Sequence, residues 1–473
     1  MNSHLLLFLK NTSYLLFSNL ISLLISVFLV FIVPKVVGIE AYGYWQLYLF
    51  YTSYIGFLHF GWIEGLYLKY GGYTYEDLDK NNLRTQFWIL NFCELCLSAF
   101  LLICVFFFID EANKKIVFFS FICNILLIVP KTFLAYVLLS TSRIRAHSIL
   151  ILTERFVTVI AMIVLLLWSD KTYQSLIFAD IAGKTTVLCL AVYFCHRIVW
   201  GEILVTHVVF IEIKKSIISG SKLMLANIAS MLMIGIVRFS IEKHWGIVLF
   251  GKVSMALSAS ALFMMFVSTL NVVVFPLLRK VQENELAEIY TSFRSLLLKG
   301  SLAALLLYYP ISKGLDYWLP AYRESSAFLA VLFPSCVYEI QWSILLYTYF
   351  KTLRKEKWVL VINLIAVGLS IVFTGVTVLF LNNVFAVLVS VTLLVMLRCF
   401  IAEFFLKKAI KIEGQRRVFL EVFCGLAFIY TAYTMPSIYG IILYSFVYFL
   451  YFRVTNDTLR RDVNTVIKFI RGT

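Results

Sequence analysis

Long apolar runs separated by short polar stretches dominate the chain. A window of about 19 residues finds roughly fourteen runs, each long enough to cross a hydrocarbon layer of about 30 Å as a helix. Their approximate limits are 12–33, 42–64, 83–109, 116–139, 150–168, 176–196, 216–241, 247–273, 293–312, 325–350, 356–379, 384–406, 416–434 and 438–452. No connection is longer than residues 197–215. The pattern predicts an all-α polytopic membrane protein with about 14 transmembrane helices and no separate soluble domain.

Composition narrows the possible functions. Hydrophobic residues make up 62% of the 473 residues and charged residues 14%, against about 45–50% and about 25% in soluble domains. This argues against a soluble enzyme, a secreted disulfide scaffold or a nucleic-acid-binding protein. The net charge of +15 fits loops that face anionic lipid headgroups. The nine cysteines lie in or beside apolar runs, so packing is their expected role, and we predict neither a metal site nor a cofactor.

The distribution of basic residues predicts the orientation. If the N-terminus is cytoplasmic, 29 of the 41 Lys and Arg residues fall on the cytoplasmic side and seven on the opposite side. Cytoplasmic loops are enriched in Lys and Arg. Both termini are therefore predicted to be cytoplasmic, and the number of spans to be even.

An internal repeat relates the first and seventh runs. A shift of 208 residues places Asn19 on Asn227, Ser22 on Ser230, Gly38 on Gly246 and Gly43 on Gly251 without a gap. Six helices separate the two copies, so both enter the membrane in the same direction and predict a pseudo-two-fold axis along the membrane normal. We predict a six-helix bundle in 1–212, a second in 213–412, and two extra helices with a basic cytoplasmic tail in 413–473. Two like-oriented bundles around a central cavity are typical of a transporter rather than an enzyme.

Five basic residues remain after those 29 and seven are subtracted from 41, and each lies within an apolar run, where it costs about 2.5–3.5 kcal/mol on insertion scales. They are Lys131, Lys184, Arg238, Lys252 and Arg398. Two interpretations are open: ion pairs between helices, or a cationic cavity that binds an anion. Because basic residues outnumber buried acids in the middle of the spans, we favour the cavity. A diphosphate on an amphiphilic lipid would suit it, since Arg and Lys both bind phosphate.

Acidic residues inside the runs suggest pairing and ion coupling. Asp180 lies four residues before Lys184, so the two can pair along one helix. Glu403 follows Arg398 by five residues, a poorer helical match. A further hypothesis assigns a coupling proton to three buried acids, namely Asp180, Glu94 and Glu339.

Several short motifs resemble those of the Wzx-type O-antigen and polysaccharide flippases. Residues 33–43 (VPKVVGIEAYG) resemble the first-loop signature, in which a Pro ends helix one and an LGxxxYG-like turn opens helix two. Residues 61–72 resemble the end of helix two, and 322–325 (YRES) and 355–358 (KEKW) with Asn363 resemble the entries to helices ten and eleven. One departure is that Val237 precedes Arg238, where the family often has Asp.

The resemblance implies membership of the multidrug/oligosaccharidyl-lipid/polysaccharide exporter superfamily. It implies a flippase that moves an undecaprenyl-diphosphate-linked oligosaccharide across the bacterial inner membrane by ion-coupled alternating access, without covalent chemistry. The partners it implies are the lipid-linked oligosaccharide diphosphate, membrane lipids, a polysaccharide polymerase and a chain-length regulator.

Three alternatives stay open. A multidrug exporter of the same superfamily would favour buried carboxylates, because its substrates are often cations. An O-antigen polymerase or ligase would carry a long outer loop with catalytic residues, whereas the longest outer loop here is 313–324. A non-transporting scaffold leaves the five buried bases unexplained.

Overall fold

The chain is helical throughout the part that the structure, a computed structural model, describes. These residues are 3–168, 171–268, 278, 285–410, 412, 418–455 and 459–471, and every regular element among them is a helix. The chain divides into two compact units, residues 1–228 and 229–473.

The first unit is built from long apolar helices around a buried core. Its helices are α1 Ser3–Val37, α2 Ile39–Thr52, α3 Trp62–Tyr70, α4 Lys80–Phe108, α5 Ala112–Ser140, α6 Ile144–Trp168, α7 Tyr173–Phe194, α8 His196–Val199 and the first part of α9 His207–Ser268. Asp79 caps α4, because its side chain accepts a hydrogen bond from the Asn82 N–H at 3.0 Å. Phe87 of α4 packs on Phe133 of α5 in the core of this unit.

The second unit contains the rest of α9 and the later helices. These are α10 Leu286–Ala304, α11 Tyr308–Trp318, α12 Arg323–Leu332, α13 Ser335–Ile340, α14 Tyr347–Thr352, α15 Glu356–Val376, α16 Val384–Ile410, α17 Val418–Thr434, α18 Ser437–Thr455 and α19 Leu459–Arg471. A π-helical segment, Gln341–Leu346, joins α13 to α14. Phe428 of α17 packs edge-to-face against Tyr308 and Tyr444, with ring centroids 5.5 and 5.2 Å away.

The helices correspond to all fourteen predicted runs. Among the residues that the structure describes, ten helices are long and apolar enough to cross a membrane, or eleven spans exist if the bent pair Pro320–Leu332 and Ser335–Thr352 is counted as one. Three more predicted runs complete the fourteen. Helix α9 covers two runs, α2 and α3 together form one run that is broken between them, and α17 is shorter than a standard span. The end of run 247–273 and the start of run 416–434 lie outside the described residues. The predicted all-α polytopic membrane fold is confirmed.

The predicted domain boundaries differ from the division into compact units. Residues 213–228 belong to the first unit and residues 413–473 to the second. Compactness does not report where an internal repeat begins, so the boundaries at 212 and 412 stay a prediction.

The two glycines paired by the repeat share one unusual backbone conformation. Gly38 separates α1 from α2 with φ 80° and ψ 172°, and Gly246 breaks α9 with φ 79° and ψ −177°. This region of backbone space is open essentially to glycine alone. Equal conformations at equivalent positions support the internal repeat.

Replacing Gly38 by alanine should destabilise the protein through its backbone. A Cβ at Gly38 or Gly246 would meet no described atom within 4 Å, so the expected cost of about 1–3 kcal/mol is conformational. Gly368 of α15 has the same open surroundings but no positive φ. Gly368→Ala should therefore be neutral or stabilising, because alanine favours a helix interior. Thermal unfolding in detergent measures the difference; equal melting temperatures for the Gly38 and Gly368 variants would contradict it.

Candidate functional site: buried bases and their carboxylate partners

In the first unit, Lys184 belongs to a network that joins three helices. It pairs with Asp180, one turn earlier on α7, as the spacing predicts. The Tyr48 hydroxyl of α2 donates to Asp180 at 2.5 Å, and the side-chain amide of Asn124 on α5 donates to Tyr48 at 2.8 Å. The lysine is buried, and the Asp180 carboxylate balances its charge inside the unit.

Lys131 has a partner on the neighbouring helix. Its ammonium group on α5 lies 2.9 Å from the carboxylate of Glu154 on α6, and both side chains are partly exposed. The two residues are 23 positions apart, so a search for partners along one helix misses this pair.

In the second unit, Arg398 is the most enclosed of the five bases. Its guanidinium donates to both oxygens of Glu339, at 2.7 and 2.8 Å, and to the Ser230 hydroxyl at 3.2 Å. It also lies 4.4 Å from the centre of the Trp342 ring. The arginine is 1% exposed, whereas the Glu339 side chain is 24% exposed. The pair is thus reached from the carboxylate side.

The π-helical segment contributes to this arrangement. Glu339 lies in the last turn of α13, and Trp342 lies three residues later in the π-helical segment. Both contact the guanidinium of Arg398. Such wide turns are rare and often occur at functional sites. Hydropathy alone does not reveal a wide turn, so the sequence gives no signal for it.

The remaining two bases lie near the helix break at Gly246. Lys252 is 3.0 Å from Glu324, an exposed carboxylate at the start of α12. Arg238 donates to the Ser254 hydroxyl at 3.0 Å, and its guanidinium lies 5.2 Å from the centre of the Phe250 ring.

Four of the five buried bases form ion pairs with carboxylates. Lys131, Lys184, Lys252 and Arg398 each have a carboxylate partner within their own unit. Each partner offsets one positive charge and so lowers the free-energy cost of burying it. Burial therefore does not by itself require an anionic ligand, and the assignment of the five bases to a substrate site stays a prediction.

The three predicted coupling acids fall into two groups. Asp180 and Glu339 are the partners of Lys184 and Arg398. Glu94 of α4 is buried, and its Oε2 atom has no hydrogen-bond partner in the part of the chain that the structure describes.

A second buried network escaped the sequence analysis. Arg294 of α10, one of the 29 basic residues predicted on the cytoplasmic side, is buried between two carboxylates. It lies 2.5 Å from Glu403 of α16 and 2.8 Å from Glu421 of α17. The Tyr290 hydroxyl also donates to Glu403, at 2.8 Å. Glu403 thus pairs with Arg294 rather than with Arg398. The signal available in the sequence was the presence of two glutamates inside apolar runs.

The first unit also contains an open cavity of about 420 Å³ at the ends of its helices. Its lining includes Gly38, Glu40, Asn113, Lys171, Tyr173 and Gln174. Partial burial raises the pKa of nearby Glu111, but hydrogen bonds from Tyr44 and Lys114 outweigh this effect and hold that pKa below its usual value. Both signs of charge and several amide and hydroxyl groups meet here, so the cavity does not select for an anion.

Similarity to known proteins rests on the fold. No protein-family model matches the chain, and no curated protein matches its sequence. Among solved structures, the chain is similar to a lipid II flippase MurJ in an inward closed conformation, with a TM-score of 0.67 and 13% identity, over 96% of this chain and 99% of that one.

Two structures of a multidrug resistance MATE family transporter of the MOP superfamily are also similar. The inward-facing one has a TM-score of 0.62 and 10% identity, over 81% of this chain and 94% of that one. The outward-facing one has a TM-score of 0.51 and 12% identity, over 85% and 96%. The chain therefore has the multi-pass helical fold shared by a lipid flippase and by transporters of the MOP superfamily.

Proposed function

We propose that the chain is a flippase that carries a lipid-linked oligosaccharide diphosphate, of the undecaprenyl type, across a bacterial inner membrane. The observation that carries this proposal is the likeness of its fold to a lipid II flippase over 96% of the chain. The motifs of residues 33–43 and 61–72 support the polysaccharide branch. Both termini would be cytoplasmic.

The ion pairs suggest how a proton and a diphosphate would be exchanged. Arg398, a predicted substrate-binding residue, pairs with Glu339, a predicted coupling residue. A carboxylate and a phosphate accept hydrogen bonds from the same guanidinium N–H groups, so they compete. Protonation of Glu339 would remove its charge and free Arg398 for the diphosphate, and loss of the proton would restore the pair. Lys184 and Asp180 repeat this logic in the first unit.

Neutralising the bases should therefore abolish transport without removing the protein from the membrane. For Arg398→Ala we expect at least a tenfold loss of surface polysaccharide, because a charge-assisted hydrogen bond contributes about 1.5–3 kcal/mol. Glu339→Gln should retain substrate binding and lose the pH dependence of transport. Lys357→Ala, which changes an exposed base at the start of α15, is the matched control. Complementation of a deletion strain, with immunoblots of the membrane fraction, gives both readouts.

Wild-type polysaccharide in the Lys131, Lys184, Lys252 and Arg398 variants would contradict the binding assignment. Equal losses in Lys357→Ala would contradict its specificity.

A multidrug exporter is the second candidate, favoured by the similarity to the MATE transporter. Its cavity would bind cations, and the carboxylates of the ion pairs would then serve as the substrate ligands. Deletion of the gene separates the two functions. Increased drug susceptibility with unchanged surface polysaccharide would favour the exporter, and the converse would favour the flippase.

A further inference from the structure

A buried acid and base face each other at the break in the second predicted span. His59 lies between the 3₁₀ turn Ile55–Phe57 and α3, and Glu64 lies in the first turn of α3. His59 Nδ1 is 3.4 Å from Glu64 Oε2, and the two side chains are 2% and 10% exposed. Neither atom has a hydrogen-bond partner among the described residues. The His59–Glu64 pair thus has unused capacity to bind a proton.

The backbone holds the pair in place. Phe60 and Gly61 are consecutive residues with positive φ, 51° and 83°, a conformation that interrupts the helix. Trp62 then anchors the start of α3, because its indole N–H donates to Gln86 of α4 at 2.9 Å.

The same turn forms a very close helix contact, which we call the glycine seam. Gly61 and Gly65 lie against Ser216 and Gly220 of α9. A Cβ on Gly65 would overlap the carbonyl oxygen of Ser216, and a Cβ on Gly220 would overlap that of Gly61. Small residues four apart allow such backbone contact in membrane proteins. Glu64 adjoins the seam, so separation of α3 from α9 would admit water to the pair.

Few charged groups surround the His59–Glu64 pair. On α5, Tyr136 interacts electrostatically with Glu64, and its ring packs edge-to-face on that of Tyr67 of α3, with the centroids 5.6 Å apart. On α9, Glu212 is already paired with Lys69 at 2.9 Å. Among the described residues, no base other than His59 lies within ion-pair distance of Glu64. Without a proton, the buried pair would hold an uncompensated carboxylate, which is costly away from water.

We propose that His59 and Glu64 form a proton-binding site that controls the glycine seam. With one proton on the pair, the closed seam contains no net charge and is stable. Without it, the carboxylate favours the hydrated state in which α3 and α9 have separated. By linkage, opening the seam lowers the proton affinity of the pair to the same extent. The role of this proton in transport rests on the proposed function, whereas the site itself does not.

Hydrogen–deuterium exchange on the purified full-length protein, without substrate, tests the site directly. In the wild type, exchange of residues 55–70 and 212–224 should rise about tenfold between pH 6 and pH 8, after correction for the intrinsic pH dependence. Glu64→Gln, which is permanently neutral, should stay protected at both pH values. Glu76→Gln changes an exposed carboxylate of the same unit, to which no role in proton coupling is assigned, and should keep the wild-type response. A pH-independent wild type, or a wild-type response in Glu64→Gln, would overturn the proposal.

Two further variants cover a failure of Glu64→Gln to fold. Glu64→Asp should keep a pH response, and His59→Asn should move its midpoint; an unchanged midpoint in His59→Asn would overturn the proposal. The exchange result is independent of the transported molecule. A responsive seam in a protein whose deletion leaves polysaccharide unchanged would refute the flippase and retain the proton site.

Discussion

Arg294→Ala is expected to destabilise the second unit by about 3–5 kcal/mol, among the largest effects of any single change in this chain. The arginine lies between Glu403 and Glu421, and its guanidinium N–H groups engage both carboxylates. Alanine would leave the two buried carboxylates facing each other without the guanidinium that lies between them, and breaking a buried pair from one side has this magnitude. Loss of folded protein in detergent, followed by thermal unfolding, measures the effect.

Three comparisons identify the cause of that loss. Arg461→Ala removes a pair with Glu288 in which the side chains are 74% and 55% exposed, and exposed pairs contribute little. Arg294→Lys should fall between the two, because an ammonium group cannot reproduce the planar guanidinium contacts. Neutralising both carboxylates in the Arg294→Ala background should recover much of the stability. Equal effects of Arg294→Ala and Arg461→Ala would refute the buried network.

Gly65→Ala is expected to have the next largest effect, through sterics alone. The added methyl group would overlap the Ser216 carbonyl across the glycine seam, and backbone atoms cannot rotate away as a side chain can. The helices must move apart, at a cost of about 1–3 kcal/mol or more. Thermal unfolding reports the loss, and exchange of residues 212–224 should rise at every pH because the seam is held open.

The control for this change is Gly56→Ala, in the 3₁₀ turn of the same break. A Cβ there meets no described atom within 4 Å, so the variant should unfold near the wild-type temperature. If Gly65→Ala behaves like Gly56→Ala, the two helices do not pack as closely as the seam requires.

The sequence predicted the helices well because a membrane span must be long and apolar. It predicted the Asp180–Lys184 pair because both residues lie one turn apart on one helix. The other partners could not be predicted in this way. Arg398 and Glu339 are 59 residues apart, and hydropathy does not encode the rotation of each helix about its axis.

Two local features were missed for related reasons. Run 42–64 predicts one continuous span, because an apolar pattern does not indicate the positive φ of Phe60 and Gly61. Arg294 is predicted on the cytoplasmic side, because it lies at the edge of run 293–312. Charges at the ends of runs are ambiguous in sequence, and only a three-dimensional neighbour such as Glu421 resolves their role.

The conformation shared by Gly38 and Gly246 has a chemical consequence. A residue at φ near 80° with extended ψ is the mirror image of ordinary extended backbone, which is the natural conformation of a D-amino acid. D-alanine incorporated by semisynthesis at Gly38 or Gly246 should therefore fit without backbone strain, whereas L-alanine should not. By restricting the unfolded chain it should also raise stability above that of the glycine protein. The chirality of the Cα atom, rather than the size of the side chain, would then explain why an achiral residue occupies both positions.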